Sequence, residues 1–143
     1  MKKQGFIYAI AAAVSWGAVY AIDQKILSRV SPLGLLFIDS VLTALVILPI
    51  MLVNSGSMKT VFASGKTSAG LIIVSLLLAA LANFFIYSAI RSLGASTASI
   101  FEIAYPLFVV IFAFLLFKQT VSWYFALGAC LIFAGSIIII KFS

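Results

Sequence analysis

Residues 32–53 read PLGLLFIDSVLTALVILPIMLV, an apolar run whose single charged side chain is Asp39. A membrane-crossing helix needs about 20 predominantly apolar residues at about 1.5 Å of rise each, and this run supplies them. It opens on Pro32, whose missing N–H costs nothing at the first position of a helix. Working outward, four further stretches repeat the pattern: residues 6–22, with an amphipathic continuation to Leu27, then 69–90, 94–117 and 121–140. The connections are short except for residues 54–68, whose Ser, Gly and Lys predict a solvated loop. No shift of composition divides the chain. The expected fold is therefore all-α: a single domain over residues 1–143, built as an integral membrane bundle of five transmembrane helices.

Composition agrees. Hydrophobic residues make up 65% of the chain and charged residues 8%, against about 45–50% and 25% in soluble domains. The formal charge of +6 comes from nine Lys and Arg against three acids. In a soluble protein such a balance would suggest nucleic acid. Here the basic residues fall mostly between apolar segments, where they anchor helix ends at anionic lipid, so the expected partner is the bilayer and not nucleic acid. Cys130 stands alone inside an apolar run and reads as a small packing residue with no internal disulfide to make. Histidine is absent. That removes the commonest general base and metal ligand, so no enzyme activity, cofactor or metal is expected. Lys2-Lys3 ahead of an apolar stretch also resembles a signal peptide, but Trp16-Gly17 inside it and four later segments favour a retained first helix.

The loop charges are nearly balanced. With alternating sides, one face holds Lys2, Lys3, Lys59, Lys66 and Lys118, and the other Lys25, Arg29, Arg91 and Lys141. Orientation follows a difference in this count. A difference of one slightly favours a cytoplasmic N-terminus, and near-balance is also what a chain of dual topology shows. Both readings stay open.

Ionisable groups inside a membrane are costly and mark functional sites by default. Asp39 lies seven residues into the second segment and Glu102 eight residues into the fourth. Both segments start on the same side, so both carboxyls sit roughly 10–12 Å below that surface. Asn83 and Trp16, counted back from the ends of their own segments, fall in the same layer. Pro106 follows Glu102 at i+4 and has no N–H to give, so the Glu102 carbonyl loses its helical partner. A free carbonyl and a carboxyl then project from one point, a pairing suited to a cation, an amine or a proton. Ser99 and Tyr105, at i−3 and i+3, are placed to join the network. The plainer reading has Glu102 paired with Arg91 or snorkelling to the interface, Pro106 as a helix kink and nothing more, Asp39 paired with Lys25 or Arg29, Asn83 bonding between helices and Trp16 packing. A Trp this deep can also present its ring face to a cation. Small residues mark close approach: Ala9, Ala13 and Gly17 on the first segment, and Gly128 and Gly135, seven apart, on the fifth. That pattern serves packing within the chain as readily as dimerisation.

Trp16-Gly17, Ser31-Pro32-Leu33, Ala89-Ile90 with Ala95-Ser96-Thr97-Ala98-Ser99, Pro106, and Leu127-Gly128-Ala129 to Ala134-Gly135 occur in this order across nearly the whole chain. Together they resemble the EamA-type domain of the drug/metabolite transporter superfamily. The resemblance implies a five-helix unit of a secondary transporter. Most members carry two such units as inverted repeats, and such transporters rock one repeat against the other around a midplane site. These 143 residues hold one unit. An antiparallel homodimer, or a partner subunit of opposite orientation, would supply a counterpart. The small multidrug resistance proteins, a more distant likeness, work as antiparallel dimers and use a glycine face similar to Gly128–Gly135. The chain departs from the family at Asp39, where Arg is frequent, and at Gln119, after Lys118, where Glu is frequent. The charge reversal at Asp39 turns the expected substrate from an anion toward a cation or amine.

The expectation is thus a multi-pass protein of a prokaryotic inner cell membrane, exporting small organic molecules by proton exchange. Glu102 is the expected proton or cation site, and Asp39, Asn83, Trp16 and Tyr105 line the pocket. Rival readings are a non-transporting accessory or assembly subunit, and one half of a heteromeric transporter or lipid flippase.

Overall fold

The computed structural model describes residues 2–142, and the side chains of all of these but Lys2, Ser55, Ser57 and Phe62. It is helical throughout: α1 (Lys2–Leu27), α2 (Pro32–Val53), α3 (Ser55–Ala63), α4 (Gly65–Leu93), α5 (Ala95–Glu102), α6 (Tyr105–Phe117) and α7 (Trp123–Phe142). Five stretches are long and apolar enough to cross a membrane: α1, α2, α4, α5 with α6 taken together, and α7. Helices are what hydrocarbon dictates, because every backbone N–H and C=O must be satisfied inside the segment. Three serines within these segments obey the same constraint. Ser40, Ser88 and Ser136 each donate to the carbonyl four residues back, at 2.7, 2.8 and 3.0 Å.

The boundary of α2 shows how locally such a helix is specified. Ser31 is its N-cap, with Oγ accepting from the Gly34 N–H at 3.1 Å, and Pro32 follows in the first turn. A Cβ on Gly34 would stand 3.0 Å from that Oγ and 3.4 Å from Val30 Cγ1, so a glycine here lets the cap seat. Asn54 closes the far end by donating its N–H to the Ile50 carbonyl at 3.0 Å.

One expectation changes and another is sharpened. Residues 54–68 are not an open loop: they carry the nine-residue α3 and the first turn of α4. Met58, Lys59 and Ala63 are good helix formers, and the reversal is confined to the Ser64–Gly65 joint, where Gly65 takes φ +82°. The fourth transmembrane stretch, Ala95–Phe117, is a single span as expected, and the kink expected at Pro106 is a full interruption of its helix. It breaks at residues 103–104, between α5 and α6. Pro106 is the reason, since it cannot donate to Glu102, and the chain turns through Ile103 N–H to Ser99 O at 3.0 Å and Ala104 N–H to Phe101 O at 3.3 Å.

The helices gather into two compact units, Met1–Ile22 with Ser92–Ser143, and Asp23–Arg91. In the first, α5 and α6 both pack on α7; in the second, α3 packs on α2. Core positions are few. In no transmembrane stretch is more than 11% of the most apolar window buried, so most of the apolar surface is left for lipid or for another protein.

Candidate functional site

The first unit encloses a half-open cavity of about 750 Å³, lined by Trp16, Tyr20, Ser99, Glu102, Ile103 and Tyr105, with Ala9, Ala12, Ala13 and Gly17 along one wall. A volume of this order suits a small organic molecule. The cavity exists because of sequence features on each wall. Ala9, Ala13 and Gly17 are the small-residue stripe of α1, and they line empty space where a packed helix was one expectation. A Cβ on Gly17 would meet nothing within 4 Å. On the other wall, the break after Glu102 ends α5 beside the cavity and starts α6 at Tyr105, so residues from two short helices reach one space.

The polar and aromatic groups form a connected set. The Tyr20 hydroxyl donates to the Glu102 carboxylate. Trp16 and Tyr20 meet edge to face, with ring centroids 5.9 Å apart and planes at 67°, an arrangement aromatic quadrupoles favour. Ser99 lies on the wall, but its hydroxyl donates to the Ser96 carbonyl at 2.9 Å rather than to Glu102. Glu102 and Tyr105 are exposed to the cavity mouth, while Tyr20 is buried. A carboxylate braced by a phenol, beside an indole and a second phenol, has the chemistry to receive a positively charged or protonated nitrogen.

Three of the five expected pocket residues, Trp16, Glu102 and Tyr105, therefore share one cavity. Asp39 and Asn83 stand on α2 and α4, in the other unit. Asp39 Oδ2 is 3.4 Å from the donating Tyr87 hydroxyl, and Asn83 is half-buried.

Two residues escaped the sequence reading. Tyr20 carries the only signal needed, its i+4 spacing from Trp16, but it is lost among many aromatics. Asp23 falls in the amphipathic continuation of the first segment and was not singled out there. The helix runs on to Leu27, and Asp23 is 6% exposed with Oδ2 unbonded.

The sequence profile of the EamA-like transporter family matches residues 3–141. No curated protein and no solved structure matches the chain.

Proposed function

Because the chain belongs to the EamA-like transporter family, a multi-pass membrane family of the drug/metabolite transporter superfamily, we propose that it exports small organic cations or amines through the cavity beside Glu102, in exchange for protons. The observation that carries this reading is the Tyr20–Glu102 pair facing a cavity walled by Trp16 and Tyr105. The carboxylate is the one acidic group on that wall, so a cationic substrate and a proton compete for the same oxygen atoms. Exchange follows from that competition, since a site that holds one cannot hold the other. Tyr20 holds the carboxylate in place, and the indole and phenol faces of Trp16 and Tyr105 take the hydrocarbon part of the substrate and its charge.

The second half of the transport unit is a copy of opposite orientation. The five-to-four distribution of Lys and Arg supports this, as it gives little preference for one orientation. The glycines of α7 support it as well. A Cβ on Gly128 or Gly135 would meet nothing within 4 Å, so these glycines are not required by contacts within the chain and leave a face at which another backbone can approach closely. The membrane is the inner membrane of a prokaryotic cell.

The test is transport in liposomes. Wild-type protein should move protons in the direction opposite to an organic cation, and organic anions should not compete. Glu102→Gln should abolish the coupled proton flux. Coupling left intact in that variant overturns the assignment. Cysteine labelling at Gly56 from each side of the membrane checks orientation, with labelling from both sides expected.

A further inference from the structure

Apart from the Glu102 cavity, the second unit contains a cluster of oxygen atoms that the transport reading does not use. Asp23, near the C-terminal end of α1, is 6% exposed, and its Oδ2 is buried without a hydrogen-bond partner. Tyr87 on α4 is 4% exposed. Its hydroxyl points at Asp39 Oδ2 on α2 from 3.4 Å, beyond the usual 2.5–3.0 Å of an O–H···O bond. Asp23 and Asp39 interact electrostatically, and both act on the Tyr87 hydroxyl. Three helices thus bring two carboxylates and a phenol together, with one oxygen unbonded and the one hydrogen bond stretched. None of these side chains lines the Glu102 cavity.

We propose that Asp23, Asp39 and Tyr87 form a binding site for a monovalent inorganic cation, sodium. The argument starts from the missing positive charge. A buried carboxylate oxygen without a partner is among the most expensive arrangements in a protein, and a second carboxylate close by raises the cost. A bound cation relieves both at once. The donor set selects the ion. It is oxygen only, the choice of hard cations. Calcium takes about 6–8 oxygens, more than two carboxylates and a hydroxyl supply, and magnesium demands near-ideal octahedral geometry, which two carboxylates and one hydroxyl on three helices do not build. Sodium accepts a smaller and less regular oxygen shell.

Binding is measured directly, with radiolabelled sodium on purified full-length protein in lipid nanodiscs. Wild type should show saturable binding that choline does not displace. Glu102→Gln should bind sodium as wild type does, which separates this site from the transport assignment. Asp23→Asn should lose binding. Tyr87→Phe, which removes one oxygen and keeps the ring, should weaken it several-fold and guards against a misfolded Asp23 variant. Absence of saturable binding in wild type overturns the proposal. So does binding that survives both Asp23→Asn and Tyr87→Phe, binding lost in Glu102→Gln, or displacement by calcium at concentrations where sodium does not compete.

Discussion

At the scale of single residues, the Tyr20–Glu102 hydrogen bond divides two tasks that one carboxylate cannot perform alone. A carboxylate on a flexible side chain attracts a cation but does not orient it, whereas one held by a phenol does both. Removing the phenol oxygen should therefore leave the fold intact and loosen the site. Tyr20→Phe is expected to weaken binding of an organic cation by about tenfold, the equivalent of roughly 1.5 kcal/mol for a hydrogen bond to a charged group, measured by titration of the purified protein. An unchanged dissociation constant would assign Tyr20 to packing. Glu102 and Pro106 were legible in the sequence because an acid in an apolar run and a proline at i+4 are both local signals. Asp23 was not, because it sits in the amphipathic end of the first segment, where a charged residue is ordinary and gives no signal of its own. Burial by other helices decides its character, and burial is a tertiary property.

At the scale of elements, the start of α2 was readable from Pro32. Pro32 suits the first turn of a helix, and α2 begins there as expected, with Ser31 capping it. The α3 helix was hidden because its Ser and Gly content looks like a loop, while its helix formers are scattered. The break between α5 and α6 is the element on which the cavity depends. Pro106→Ala would return an N–H to the Glu102 carbonyl and allow one continuous helix, removing a penalty of up to about 3 kcal/mol from the helix interior. The expected outcome is a protein at least as resistant to heat in detergent and with reduced transport, because closing the break re-aims Tyr105 and occupies the carbonyl. A variant that transports at the wild-type rate would show that the break is incidental. Counting residues gave depth for Asp39, Asn83, Trp16 and Glu102 but not neighbours. Depth follows from rise per residue, whereas neighbours depend on how helices rotate and pack, which hydropathy does not encode.

At the scale of the whole molecule, the all-α membrane fold was legible because bilayer thickness imposes a length that composition reveals directly, whereas the family was legible only through the resemblance of ordered motifs from Trp16-Gly17 to Ala134-Gly135. What the chain associates with is a matter of surface, and the glycines of α7 are where that surface can be probed. Because a Cβ at Gly128 or Gly135 meets no neighbour, replacing both with Leu should leave the fold of the single chain unharmed. In the proposed dimer it should push two backbones apart. Cross-linking in membranes is expected to fall sharply in Gly128→Leu/Gly135→Leu, with little change in the helical content of the purified chain; undiminished cross-linking would move the contact to another face. The divided fourth stretch bears on how the chain enters a membrane at all. At eight and thirteen residues, α5 and α6 are about 12 and 20 Å long, and neither bridges about 30 Å of hydrocarbon. The insertion machinery must therefore release them to lipid as one piece, and a ribosome stalled between them would expose a half-length rod that cannot settle across the bilayer until the remainder is synthesised.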